Sequence, residues 1–195
     1  MKLELYWPTK KPFYISQRFD EDKTRFNKEF GMKGHGGIDL YHAMGAFIID
    51  FPLYSPIDGE ITYIENDVNL GLGIVIKSLE KYLYEGKEYY FKLRLWHLAK
   101  NSIVVRLGQQ VKIGDYLGMA DNTGFSTGTH LHIDGKPLND DGSNAFQSNG
   151  YFGAVDIEPY FQAMTAYEVK TNLSKIAEMI ESLGRQISEF IKRRK

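Results

Sequence analysis

The chain has 195 residues, of which 43% are hydrophobic and 25% charged, with a formal net charge of −1. Such a composition is globular and long enough to bury a core, which excludes a disordered chain, and the near-zero charge supplies no basic field to recruit nucleic acid. Cysteine is absent, so a metal site here must be built from histidine and carboxylate, and the fold does without disulfides.

The N-terminus, Met1-Lys2-Leu3-Glu4-Leu5-Tyr6-Trp7-Pro8, carries no apolar signal region. No apolar run approaches the roughly 18 residues of a bilayer span, so no transmembrane segment is expected. Tyr14-Ile15-Ser16 either pairs with a strand or covers a groove. In Gly34-His35-Gly36-Gly37-Ile38-Asp39 the adjacent glycines disfavour a helix by about 1 kcal/mol each. The segment reads as a loop entering a strand Ile38-Asp39-Leu40, with Ile38 and Leu40 on one face and Asp39 on the other. His42 follows at no useful spacing and is taken as surface or as a second layer around a site.

Ser55-Pro56-Ile57-Asp58-Gly59-Glu60 is a turn before the β-prone Ile61-Thr62-Tyr63-Ile64, and Gly71-Leu72-Gly73 opens Ile74-Val75-Ile76-Lys77. Residues 82–87 read as a hairpin around Glu85-Gly86. The strand Tyr89-Tyr90-Phe91-Lys92-Leu93-Arg94-Leu95-Trp96 ends at His97, and alternation places His97 on the face of Tyr89, Phe91, Leu93 and Leu95. Ser102-Ile103-Val104-Val105, Gln110-Val111-Lys112-Ile113 and Asp115-Tyr116-Leu117-Gly118 are further short strands. Asn122-Thr123-Gly124-Phe125-Ser126-Thr127-Gly128 is a polar turn suited to the border of a peptide groove. Aromatic content is 14%, which suits a β core as well as a polymer-gripping surface. Many short strands with regular turns predict an all-β domain.

Of five histidines, three lie in two short segments. In the strand Thr129-His130-Leu131-His132-Ile133 the two imidazoles share a face while Leu131 and Ile133 look into a core. With His35 and Asp39 they offer neutral nitrogens and a carboxylate, and two His plus one carboxylate with an open fourth position is a ligand set of catalytic zinc.

Beyond about Thr165 the pattern changes. Leu173, Ile176, Ile180, Leu183, Ile187 and Phe190 follow a heptad-like stripe and predict a helix of about 20 residues within 166–195. Thr171 or Asn172 would cap it, and Lys192-Arg193-Arg194-Lys195 would complement its dipole. The stripe suits self-association, packing on the β domain, or a connection; Gly184 weakens the coiled-coil option.

Gly34-His35-Gly36-Gly37-Ile38-Asp39, Leu95-Trp96-His97-Leu98 and Asn122-Thr123-Gly124-Phe125-Ser126-Thr127-Gly128-Thr129-His130-Leu131-His132 together resemble the three signature segments of the lysostaphin-type, or LytM-type, zinc endopeptidases. The intervening turns Tyr54-Ser55-Pro56-Ile57-Asp58-Gly59 and Val104 to Asp115 match in order, and Asp156-Ile157-Glu158-Pro159-Tyr160-Phe161 resembles the closing segment. The likeness runs from about Ile15 to Phe161. It implies a mainly antiparallel β peptidase domain over 1–165, with 166–195 a C-terminal helix outside it. It implies one zinc ion held by His35, Asp39 and His132, with His97 and His130 unligated and catalytic. It further implies cleavage of stem or cross-bridge peptides of bacterial peptidoglycan at the cell wall. Without a visible signal, export would be by lysis, by particle delivery or by another route, and the spacing from Gln17-Arg18-Phe19 to Gly34 resembles that of phage enzymes.

Two departures stand out. Gly36 occupies a position where members often carry a larger residue, and Ile133-Asp134 replaces a common Phe-Glu continuation; both are expected to affect groove shape and not ligation. Two other readings remain: a non-catalytic cell-wall binding or regulatory module on the same scaffold, and a zinc peptidase acting on a peptide outside peptidoglycan. Which of His97 and His130 is the general base is open.

Overall fold

The computed structural model describes residues 1–21, 31–44 and 47–192, with side chains described through 189. Within these, thirteen strands precede one long helix. In chain order they are β1 (Leu5–Trp7), β2 (Tyr14–Gln17), β3 (Ile38–Met44), β4 (Phe47–Ile49), β5 (Phe51–Tyr54), β6 (Gly59–Asp67) and β7 (Gly71–Ser78). There follow β8 (Tyr82–Tyr84), β9 (Lys87–Trp96), β10 (Gln110–Val111), β11 (Tyr116–Ala120), β12 (Leu131–Leu138), β13 (Phe161–Thr165) and α1 (Ala166–Lys192). The interval 22–30, across which the phage-like spacing was read, lies outside the described residues.

The main sheet has nine antiparallel strands in the order β10-β6-β7-β9-β12-β3-β2, with β4 added to β3 and β8 to β9. Tyr14-Ile15-Ser16 therefore pairs with β3 instead of covering a groove. Small two-stranded pairs, β1 with β13 and β5 with β11, pack against one face. Period-two alternation explains which face. Ile38 and Leu40, Ile74 and Ile76, Phe91, Leu93 and Leu95, and Leu131 and Ile133 are fully buried with Leu3, Leu5, Phe51, Leu53 and Leu117. Each such side chain contributes about 1.5–3 kcal/mol of transfer free energy, so the register that puts them inside is strongly specified. The same register leaves Asp39, His132, Asp134, Lys136, Trp96, Arg94 and Lys92 on the opposite face.

Glu85 and Gly86 both adopt positive φ, 48° and 80°, making the tight turn expected between β8 and β9. The expected strand at 102–105 does not form. Only Val104 makes a ladder-like bond there, to Leu117 O, and the Ser102 hydroxyl takes the place of a partner strand by accepting from Met119 N and donating to Ala99 O.

The helix also begins earlier and runs longer than the apolar stripe indicates. Its cap is Thr165, not Thr171 or Asn172: Thr165 Oγ1 accepts from Glu168 N at 3.2 Å, and Glu168 Oε2 accepts from Thr165 N at 2.7 Å. This reciprocal capping box satisfies two donors. Ala166 is buried, Lys10 Nζ sits 4.1 Å above the Tyr167 ring, and Lys170 pairs with Asp115, so the first turns dock on the β body. Leu173, Ile176, Ile180, Leu183 and Ile187 are all more than half exposed, so this stripe does not pack on the sheet. The side chain of Phe190 and residues 193–195 lie outside the described residues. No described helix is long and apolar enough to cross a membrane.

Candidate metal centre and catalytic cleft

Three residues meet where β3 and β12 pair. Asp39 stands opposite His132 in the register, and His35 comes from the loop just before β3. His35 Nε2 is 3.0 Å from His132 Nδ1 and 3.1 Å from Asp39 Oδ1, and His132 Nδ1 is 2.9 Å from Asp39 Oδ1. The approach is this close because residue 37 has no side chain: a Cβ there would lie 2.5 Å from Ile133 O and 2.8 Å from His132 Nε2.

The ring partners fix which atoms carry lone pairs. His35 Nδ1 faces Arg18 O at 3.1 Å and must donate, so Nε2 is its acceptor atom. His132 Nε2 faces Asp134 Oδ2 at 3.5 Å; with a proton there, Nδ1 becomes the acceptor. In that tautomer two nitrogen lone pairs and a carboxylate oxygen converge within about 3 Å, a clash that either a proton on Nδ1 or a metal ion among them relieves. The donor set and spacing fit one metal ion with a position left open.

Electrostatics agree. Burial pushes the Asp39 carboxyl up, but hydrogen bonds and charge from His132 and His35 outweigh it and hold the group well below the carboxylate range. Burial lowers His132, and the carboxylates of Asp134 and Asp39 overcome this to raise it to about 9. A metal at Nδ1 must therefore displace a proton.

His97 and His130 stand beside this cluster, with ring centroids 4.5 Å apart. His130 is held by donation from Nδ1 to Gly128 O at 2.8 Å, and its Nε2 is 3.8 Å from Asp39 Oδ1. His97 donates from Nδ1 to Thr123 O at 2.7 Å. Alternation alone puts His97 on the core face, which is not where it lies. Strand β9 ends at Trp96, and His97 takes a left-handed backbone, φ 66°, which turns the ring into the cleft. Burial first, then the neighbouring His130, lowers His97 to about 4, so it is neutral at neutral pH. His42 is elsewhere: it bonds Thr9 Oγ1 at 2.9 Å and stacks on Phe51.

The cluster forms the floor of a cleft of about 490 Å³. The 122–128 turn supplies one wall through Phe125, Ser126 and Thr127, and Tyr151 and Phe152 stand on another.

Residues 33–141 match the model of peptidase family M23. The chain belongs to that family. Peptidoglycan DD-endopeptidase ShyA of Vibrio cholerae is 27% identical over 187 residues, covering 93% of this chain and 36% of that protein. An uncharacterized metalloprotease of Buchnera aphidicola is 32% identical over 67% of this chain and 30% of its own length. The chain thus spans about a third of the curated relatives it matches. Among solved structures, the catalytic domain of lysostaphin from Staphylococcus simulans superposes with a TM-score of 0.56 at 21% identity, over 76% of this chain and 91% of that one. A zinc-containing peptidase from Vibrio cholerae gives 0.54 at 24% identity, over 79% and 39%. These likenesses bear out the antiparallel β fold.

Every residue of the cluster falls inside the M23 match, whereas β1, β2, β13 and α1 fall outside it. Within the match lies Asp134, which the sequence reading expected to affect groove shape alone. Asp134 is fully buried and sits directly behind His132, with Arg94 Nε donating to its Oδ1 at 2.9 Å. Arg94 Nη2 lies 2.8 Å from Oδ2, yet Oδ2 receives no well-directed hydrogen bond among the described residues. A proton on His132 Nε2 would satisfy it. The available signal was the i, i+2 spacing from His132, which puts both side chains on one strand face.

Proposed function

We propose that this chain is a zinc-dependent endopeptidase that hydrolyses peptide bonds in the stem or cross-bridge of bacterial peptidoglycan. His35, Asp39 and His132 are its metal ligands, and His97 and His130 act without ligating the metal. The observation that carries this reading is the convergence of three lone-pair donors within about 3 Å, with two further imidazoles alongside. The names and activities of the relatives support the substrate.

Two imidazoles and one carboxylate leave bound zinc a net charge of +1, so it would polarise a carbonyl and acidify a water. The protein's own residues do the rest. His97 and His130 each have Nδ1–H committed to a backbone carbonyl, which leaves Nε2 as the proton acceptor. One takes the proton released as water oxygen bonds to the scissile carbon, and the other, once it has taken up a proton from solvent at Nε2, donates to the developing oxyanion. When the C–N bond breaks, the proton goes to the leaving amine. The cleft walls at 125–127 and 151–152 hold the peptide extended over the cluster.

The test is mass spectrometry of material released from purified sacculi, with and without chelator. Chelator-sensitive fragments bearing a new peptide amino terminus are expected. Intact sacculi from several wall types, despite bound zinc, would refute the reading.

The division into a peptidase unit over 1–165 and a helical appendage over 166–195 belongs to the same proposal, as does self-association through the stripe from Leu173 to Ile187. Sedimentation of the full chain against an Ile180→Glu, Leu183→Glu variant tests the latter; equal masses at monomer size would remove it.

A further inference from the structure

Beyond the metal cluster Lys136 lines the cleft, and Lys92 adjoins it on the neighbouring strand. Lys136 lies on β12 four residues past His132, on the same face, and the register sets it opposite Lys92 of β9, which is itself opposite Lys77 of β7. One step nearer the cluster, Arg94 stands opposite Asp134. Directly opposed side chains have Cβ atoms about 4.5–5.5 Å apart. Arg94 is neutralised by Asp134, and Lys77 lies over the Tyr90 ring at 4.6 Å. Lys92 and Lys136 have no direct ion-pair partner among the described residues, and Asp134 acts on both only at longer range. Lys136 is only 5% exposed, lines the cleft, and donates to a single neutral acceptor, Phe152 O, at 2.7 Å.

The buried Lys136 and its half-buried cross-strand neighbour Lys92 carry like charges, and like charges directly opposite in a sheet destabilise it. Burial holds both lysines below their ordinary range, Lys136 to about 8, with Arg94 adding to the effect and Asp134 opposing it in part. An anion joining the two lysines would relieve this repulsion.

We infer that Lys136 and Lys92 form a subsite for a free carboxylate of the substrate peptide. The inference rests on the peptidase reading above and names the substrate class more closely. Four residues of strand cover about 13 Å, so an extended peptide with its scissile carbonyl at the metal cluster places a group three or four residues away over the lysine pair. A peptidoglycan stem supplies such groups, since its isoglutamyl and diaminopimelyl residues carry carboxylates that lie off the peptide backbone and that some walls amidate. The preferred substrate is the free acid.

The experiment compares synthetic stem-peptide dimers identical except for carboxylate against carboxamide at those positions, cleaved by the zinc-loaded full chain. A carboxylate meeting a buried ammonium should raise kcat/KM for the acid by on the order of tenfold, expressed in KM and shrinking with salt. Lys136→Met should collapse that ratio toward one and Lys136→Arg should restore most of it. Lys92→Met, at a less buried position, should lower the ratio in case the first variant does not fold. Equal cleavage of acid and amide by the parent overturns the subsite and leaves the peptidase reading standing, as does a ratio untouched in both Met variants. Failure to cleave either dimer overturns both.

Discussion

Asp134 Oδ2 lies 3.5 Å from His132 Nε2, on the side of the imidazole opposite the atom that faces Asp39 and His35. A carboxylate behind a ligating histidine fixes its tautomer and raises its basicity, and losing such a partner typically costs about 10–100-fold in metal affinity. Arg94 keeps Asp134 ionised: burial pushes that carboxyl up, and the guanidinium and His132 bring it well below its usual range.

Asp134→Ala should therefore weaken zinc binding by about 10–100-fold, measured by competition with a chromophoric chelator. Asp134→Asn, which keeps an acceptor oxygen without the charge, should fall between the two. Affinity unchanged in both variants would show that the carboxylate serves packing alone.

The glycine pair beside His35 separates two kinds of constraint. A Cβ at Gly37 would collide with Ile133 O and the His132 ring, whereas at Gly36 it would meet only Met32 Sδ at 3.4 Å. Gly37→Ala should push β12 away and abolish metal binding, with a loss of stability of about 1–3 kcal/mol from overpacking. Gly36→Ala should fold and bind metal normally. Chemical denaturation and metal titration of the two variants check this.

What was legible in the sequence is what depends on local period. Alternation alone puts Ile38 and Leu40 opposite Asp39, and Leu131 and Ile133 opposite His130 and His132, as the burial confirms. Features that depend on one residue's backbone or on a distant strand were not legible. His97 leaves the alternation because its φ is positive, which no spacing announces. Asp134 acquires its role only when the β9–β12 register sets Arg94 opposite it. The helix starts earlier than the exposed stripe from Leu173 indicates, because Ala166 and Tyr167 belong to a first turn docked on the β body.

Lys136 gives a pH signature in stability. Its ammonium is held at about 8 in the fold against an ordinary value of 10.5. Below pH 8 both folded and unfolded chains carry the charge, and the fold bears the full cost of burying it. Between 8 and 10.5 the folded chain has released a proton that the unfolded chain still holds, so this group's contribution to stability rises with pH. Lys136→Met should be more stable than the parent at pH 7, by on the order of 1 kcal/mol once screening in the open cleft is allowed for. The difference should close by about pH 10. Urea midpoints of the two proteins across this range measure it, and a difference that stays flat with pH would exclude Lys136 as the source.

The two histidine pairs should separate cleanly when metal content and turnover are measured on the same samples. His132 faces Asp39 and His35 at 2.9 and 3.0 Å, so His132→Ala removes one of three converging donors and should lose metal and activity together. His97 contributes no atom to that convergence, and its ring is tied to Thr123 O instead. His97→Ala should keep one metal per chain by elemental analysis while turnover falls by about 10²–10⁴, the range for loss of a general acid or base. Because Ala is strained at φ 66° where His is already unusual, His97→Asn, a residue that tolerates the left-handed region, is the better-folded control. It should show the same loss of turnover at full metal occupancy. Metal loss in His97→Asn would instead move His97 into the ligand set, and activity retained in both His97 variants would leave His130 as the sole proton acceptor.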